Sequence, residues 1–123
     1  MKMRVLVVDD SEIVLEKARE ALCCRGYDVS TALSANAADA FIYSCERPDI
    51  IILDVMMPML DGDKKAAILK ADELTKEIPI LLMSSKPEDE LAELAKWSGS
   101  EGFIRKPFTS DEIAEKIESV KSH

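Results

Sequence analysis

The 123-residue chain is poor in histidine, cysteine and basic residues and has no long apolar run. Each shortage removes a class of function. Its single histidine, His123, is the last residue and is expected to fray. Three cysteines, Cys23, Cys24 and Cys45, are too few and too unevenly spaced for a zinc site or a disulfide framework. The adjacent pair falls on a helical stretch and cannot aim both sulfurs at one metal with two further ligands. Buried or half-buried free thiols are the expectation. No segment approaches the ~20 apolar residues that cross a bilayer. The opening Met1-Lys2-Met3-Arg4-Val5 runs straight into a strand-like segment, without the apolar stretch and small-residue cleavage site of a secretory signal. A cytoplasmic protein with no membrane partner is expected.

Lys and Arg number 16 against 24 Asp and Glu, a formal net charge of −8. Nucleic-acid affinity comes largely from basic side chains meeting phosphates, so no direct nucleic-acid partner is expected. Any effect on DNA would pass through something attached or recruited. For most of these charges solubility is explanation enough.

What is present is a folded composition, 47% apolar and 33% charged, in a length suited to one domain, 1–123, with a real core. Apolar strands alternate with helical segments. Arg4-Val5-Leu6-Val7-Val8 is a continuous β-branched run ending in Asp9-Asp10. Residues 11–25 read as a helix with Val14, Ala18, Ala21 and Leu22 on one face, stopped by Gly26. A short strand follows at 28–32, then a helix at 36–45 with Ala37, Ala40 and Phe41 inward. After Pro48, Ile50-Ile51-Ile52-Leu53 is the most hydrophobic strand and ends in Asp54. Residues 58–62 read as loop and roughly 63–74 as helix. Ile80-Leu81-Leu82-Met83 is a fourth strand, ending at Ser84-Ser85, with a helix at 87–97 closed by Gly99. Gly102-Phe103-Ile104-Arg105 is a fifth, ending at Lys106-Pro107. Thr109-Ser110-Asp111-Glu112 forms a capping box for a last helix carrying Ile113, Ile117 and Val120 inward. Five such β-α units with continuous apolar strands predict a doubly wound parallel sheet, buried on both faces.

In open α/β sheets ligands bind outside the carboxyl ends of the strands. For five units the common strand order is 2-1-3-4-5, which places the crevice between strands 1 and 3. Those strands end in Asp9-Asp10 and Asp54; their neighbours end in Ser84 and Lys106. Three carboxylates together repel, and Lys106 supplies one positive charge, leaving a deficit of two. A hard divalent cation such as Mg²⁺ fits that deficit and leaves positions for phosphate oxygens. Lys106 and the Ser84 hydroxyl could donate to the other oxygens of a transferring phosphoryl group, with Asp54 as nucleophile. Each part has a plainer reading. Asp10 or Ser11 can cap the first helix, a serine at a strand end is usually structural, and Lys-Pro is usually a turn, in which a cis Pro107 could aim Lys106. Their convergence on one rim carries the argument.

The segments Val7-Val8-Asp9-Asp10-Ser11, Asp49 through Gly62, Pro79 through Ser85 and Gly102 through Phe108 resemble, in order and spacing, the receiver domains of bacterial two-component systems, with a chemotaxis-regulator-like organisation. The resemblance implies a flavodoxin-like fold with five helices. It implies that Asp54 accepts a phosphoryl group from a phosphohistidine on a histidine kinase or histidine phosphotransfer protein. It further implies side-chain Mg²⁺ ligation by Asp10 and Asp54, ligation by the Met56 backbone carbonyl, and an Asp9 role largely through water. Ser84 and Lys106 would contact the phosphoryl group. Ser84 and Phe103 match the switch pair, in which the hydroxyl moves toward the phosphate and the ring turns inward. The surface of helix 4, strand 5 and helix 5, with Lys96, Arg105 and Lys116, would then change for an output domain or protein. The departures are small: Ser84 where Thr is more frequent, and Ser85 where a small apolar residue is common.

The expected protein is therefore a phosphoacceptor with self-catalysed phosphoryl transfer and slow self-dephosphorylation, and not otherwise an enzyme. It would be a monomer with possible dimerisation on activation. Met56 and Lys86, each two positions past Asp54 and Ser84, could flank the hydrolytic water. An aspartate-nucleophile phosphatase would want an acid at position 56, where Met stands. A flavin or nucleotide binder would want a glycine-rich loop after the first strand, where Asp9-Asp10 stand. A binding-only receiver module of a larger regulator or hybrid kinase is the remaining alternative.

Overall fold

A computed structural model of the chain describes residues 2–121, so the expected fraying of His123 lies outside the described residues. Ten elements alternate along it: β1 (Arg4–Val8), α1 (Glu12–Cys23), β2 (Asp28–Ala32), α2 (Ala35–Ile42), β3 (Ile50–Asp54), α3 (Gly62–Ala71), β4 (Ile80–Ser84), α4 (Glu88–Ser98), β5 (Gly102–Arg105) and α5 (Ser110–Lys121). The strands form one parallel sheet in the order β2-β1-β3-β4-β5. The expected doubly wound architecture and strand order are therefore observed.

Side chains alternate across a strand, so an unbroken apolar run supplies both faces of the sheet at once. Val5, Val7, Ile50, Ile52, Leu81 and Met83 pack under α1 and α5. Leu6, Val8, Ile51, Leu53, Ile80 and Leu82 pack under α2, α3 and α4. All residues of β3 and β4 are buried, which leaves polar residues only at the strand ends.

Local chemistry sets the helix ends. Between Asp10 and Ser11 it is Ser11 that caps α1, its hydroxyl accepting from the Val14 amide at 3.3 Å. Ser34 does the same for α2 through the Ala37 amide at 3.0 Å. The capping box of α5 is reciprocal: the Thr109 amide donates to Glu112 at 2.8 Å and the Glu112 amide to Thr109 at 3.1 Å.

Four expectations are corrected. First, α2 runs over Ala35–Ile42 and not 36–45, and it buries Ala35, Ala38 and Ile42 while Ala37, Ala40 and Phe41 are exposed. Ala35, Ala38 and Ile42 lie on one stripe of the helix and join the core under it. Second, α3 stops at Ala71, three residues before Leu74, because the Asp72 carboxylate accepts from the Leu74 amide at 3.0 Å and turns the chain. Third, α1 ends at Cys23 and not Arg25, and Leu15 is buried with Ala18, Ala21 and Leu22, leaving Val14 half-buried at the edge. Fourth, Cys23, Cys24 and Cys45 are free but exposed: the first closes α1 on its solvent side, the second caps it, and the third lies beyond α2. Among the described residues, no helix is long and apolar enough to cross a membrane.

Candidate functional site

Parallel strands end on one rim, and the polar residues just past the core converge there. Val8 of β1 lies in register with Leu53 of β3, so Asp9 and Asp54, each one residue on, are neighbours. Asp9 is fully buried and Asp54 is 3% exposed, whereas Asp10 points outward. Carboxylate oxygens of all three nevertheless lie within 4.8 Å of one another. Lys106, the residue after β5, crosses the end of β4 to reach them. Its Nζ donates to Asp54 Oδ1 at 3.0 Å and lies 2.7 Å from Asp9 Oδ2. The Lys106–Pro107 peptide bond is cis.

One ammonium thus faces two buried carboxylates, with a third at the edge. Asp9 Oδ1 accepts from the Ser11 amide at 2.9 Å. Its buried Oδ2 has the Lys106 ammonium beside it at 2.7 Å and no other donor among the described residues. Burial pushes the Asp54 carboxyl up to about 6; the Lys106 hydrogen bond opposes this, and the charges of Asp9 and Asp10 add to it. Burial works against the Lys106 charge too. The carboxylates of Asp9 and Asp54 outweigh it by hydrogen bonding and Coulomb attraction, so the ammonium is held above its usual pKa.

These residues fit a hard divalent cation. The donors are all oxygens, and three carboxylates face the single ammonium of Lys106. Asp9, Asp10 and Asp54 could hold such an ion.

The other expected residues fall around this centre. Ser84 ends β4, is 2% exposed, and accepts from the Lys86 amide at 3.0 Å through its hydroxyl. Met56, two residues beyond β3, is 63% exposed. Phe103 on β5 is half-buried against the α4 side of the core, with Lys116 Nζ 5.2 Å from its ring centre. Lys96 of α4, Arg105 of β5 and Lys116 of α5 are exposed, and Phe103, Arg105 and Lys116 line an open cleft of about 630 Å³.

Sequence reasoning gave no separate role to Gly62. A Cβ there would stand 2.0 Å from the Asp54 carbonyl oxygen, and its own amide donates to the Val55 carbonyl at 2.9 Å. The first residue of α3 therefore passes directly against the backbone that carries Asp54, and only glycine fits. A glycine opening a helix right after the Asp54 loop was the available signal.

The sequence profile of the response regulator receiver domain matches residues 5–118. Protein PilG of Pseudomonas aeruginosa is 36% identical over 123 residues, spanning 98% of this chain and 87% of PilG. The phosphate regulon transcriptional regulatory protein PhoB of the same organism is 34% identical over 116 residues, which are 94% of this chain but 50% of PhoB. This chain thus spans most of PilG and about half of PhoB. Among solved structures, the chemotaxis response regulator CheY4 of Vibrio cholerae superposes with a TM-score of 0.90 at 29% identity, over 98% of this chain and 99% of CheY4. A putative response regulator from Chloroflexus aurantiacus does so with a TM-score of 0.93 at 28% identity, over the whole of both chains. Profile, relatives and fold agree along nearly the full length, and the chain belongs to the family of response regulator receiver domains of two-component signalling.

Proposed function

We propose that the chain, as one receiver domain over 1–123, is a phosphorylation-activated switch whose acceptor is Asp54. The observation that carries this is the placement of Lys106 between Asp54 and Asp9 at the carboxyl rim, 3.0 and 2.7 Å from their oxygens. Asp54 presents a buried carboxylate whose pKa of about 6 makes it more basic than usual while leaving it mostly ionised at neutral pH. A carboxylate oxygen attacks the phosphorus of a phosphohistidine on a histidine kinase or phosphotransfer protein. The P–N bond breaks, and the imidazole leaves as its proton-bearing form. Lys106 shifts its hydrogen bond from Asp54 to an oxygen of the arriving group, and the Ser84 hydroxyl donates to another. Asp9, Asp10, Asp54 and the Met56 carbonyl would hold Mg²⁺, which would supply charge neutralisation for the phosphoryl oxygens.

The departure of the Ser84 hydroxyl leaves room for the half-buried Phe103 ring to turn inward, away from Lys116. The face of α4, β5 and α5 then differs between two states of the molecule, and an output domain or protein that prefers one of them reads the signal. Resonances of that face should shift when Mg²⁺ and beryllofluoride are added together; unchanged resonances would remove this part of the reading.

The central test is chemical. Incubated with Mg²⁺ and acetyl phosphate, the protein should gain one phosphoryl group, stable to acid and labile to base, by intact mass. Asp54→Asn should gain none. No adduct on the wild-type chain, or one that persists in Asp54→Asn, defeats the assignment.

A further inference from the structure

Asp54, Lys106 and Ser84 account for the rim itself, but one further side chain holds the loop on which Ser84 depends. Arg105 is the last residue of β5 and pairs in register with Ser84, the last residue of β4. Its Nε donates to the Lys86 carbonyl at 3.0 Å. The next residue, Lys106, donates its backbone amide to the Ser84 carbonyl at 2.8 Å and sends its side chain to Asp54. Successive residues at the end of one strand thus serve opposite sides of the same junction. One reaches the acceptor, and the other grips the segment between β4 and α4.

That segment is closed on itself. The Ser84 hydroxyl accepts from the Lys86 amide at 3.0 Å, so the hydroxyl and Lys86 are partners in the resting arrangement. A hydroxyl that leaves for a phosphoryl oxygen strands that amide, and a buried or half-buried N–H does not stay unpaired. The peptide must turn to find another acceptor. Lys86 is half-buried, and its carbonyl is the atom Arg105 holds. The N–H lies in the Ser85–Lys86 peptide and the carbonyl in the Lys86–Pro87 peptide, so the two are coupled through the Lys86 Cα: a shift of that residue as the segment rearranges draws the carbonyl away from the guanidinium. The cleft beside Arg105 is lined by Glu88, Glu112 and Glu115, which offer the released guanidinium carboxylates in place of the carbonyl.

We propose that Arg105 is a positioning residue for Ser84: its grip on the Lys86 carbonyl holds the β4–α4 segment in the resting arrangement, and phosphorylation of Asp54 proceeds with loss of that grip. The inference rests on Asp54 being the acceptor. It makes Arg105 a restraint on activation, which is the opposite of what its charge alone would do. A cation near an anion-binding rim should strengthen anion binding, whereas a latch should weaken it.

Direction is therefore the readout. Trp97, the single tryptophan, shares a recess on α4 with Lys86 and Leu94, so its fluorescence reports this segment. Beryllofluoride is titrated into the whole chain with Mg²⁺, comparing wild type, Arg105→Ala, Ser84→Ala and the double variant. Arg105→Ala should reach half-saturation at about threefold lower beryllofluoride, the low end for a hydrogen bond, as its exposed setting dictates. In the Ser84→Ala background the Lys86 amide has already lost its partner, and removing Arg105 should shift nothing further. Half-saturation that is unchanged or raised in Arg105→Ala overturns the latch, as does an equal shift in the Ser84→Ala background. A fold-stabilising role alone would lower the unfolding midpoint without tightening the response. A wild-type chain that gains no phosphoryl group from acetyl phosphate overturns the acceptor reading and the latch together; one that gains it but whose fluorescence is silent, or responds equally with and without Arg105, overturns only the latch.

Discussion

The two ends of the sheet are built from the same residue types and reach opposite balances. At the amino end, Lys70 Nζ donates to the carbonyls of Lys76 and Ile78 and to Glu101 Oε2, while Glu101 Oε1 accepts from the Ile80 amide at 2.7 Å. Asp49 accepts from the Arg4 amide at 2.7 Å, and the buried Thr75 hydroxyl donates to the Leu69 carbonyl at 2.7 Å. Each of these charges meets its opposite or a fixed dipole, so this end contributes stability. At the carboxyl end one lysine faces an excess of carboxylates, and the Asp54 carboxyl is pushed up to about 6. That end carries an unfavourable charge balance which a cation or a transferred group can relieve. Clustered unfavourable charge at a strand rim, with a satisfied network at the other end as control, separates a working site from a supporting one.

Glycines give the sharpest way to test this contrast. Gly62→Ala would drive a Cβ to 2.0 Å from the Asp54 carbonyl and should cost on the order of 4 kcal/mol in urea unfolding, or abolish folding. Gly26 at the amino end has φ +88° but open space around it. Its alanine variant should cost only the ~1–2 kcal/mol of left-handed backbone. Equal costs would mean that the Asp54 backbone is not held by the α3 contact.

The two lysines come next. Lys106→Met should slow adduct formation from acetyl phosphate roughly 100-fold, as expected for loss of a charge aimed at the reacting group. Lys70→Met should cost about 1–2 kcal/mol of stability through its lost hydrogen bonds while leaving that rate within about twofold. If Lys70→Met slows the reaction as much, the ends are not functionally distinct.

The pH dependence of stability follows from the Asp54 shift. A carboxyl raised in the folded state binds its proton more tightly there than in the unfolded chain. This contribution is fully present below the ordinary value of 3.8 and is lost as pH rises through about 6. Without metal, Asp54→Asn should therefore be more stable than wild type by roughly 2–3 kcal/mol at pH 7, with the gap closing below about pH 4. Denaturant midpoints between pH 4 and 8 measure this, and a gap independent of pH contradicts it. The smallest effect is expected at Met56, 63% exposed beside Asp54. If its side chain shields the adduct from water, Met56→Ala shortens the phosphoryl lifetime; an unchanged lifetime assigns the residue to loop packing.

Strand-driven features were legible in the sequence because their signals are redundant. Ile50 to Leu53 is unbroken and apolar, so its burial and the placement of Asp54 follow with little alternative. The convergence of Asp9, Asp54 and Lys106 followed from topology alone. Helix faces were less legible where apolar residues crowd. In Ala35-Asn36-Ala37-Ala38-Asp39-Ala40-Phe41-Ile42 two stripes satisfy helical periodicity, and tertiary packing chose the one without Phe41. The cysteines were misplaced for a related reason, since general burial tendency says nothing about a residue at a helix terminus. Contacts made by flexible polar side chains, such as Arg105 on the Lys86 carbonyl, leave no periodic trace at all.

Asp9, Asp54 and Lys106 come from the ends of the first, third and fifth strands, and each is held by its neighbours in the sheet. A chain emerging from the ribosome has Asp54 exposed long before Lys106 has been synthesised. Until the fifth strand docks, that aspartate has neither its ammonium partner nor the burial that raises its basicity. On the proposed reading, competence to accept a phosphoryl group therefore arrives only with the last strand.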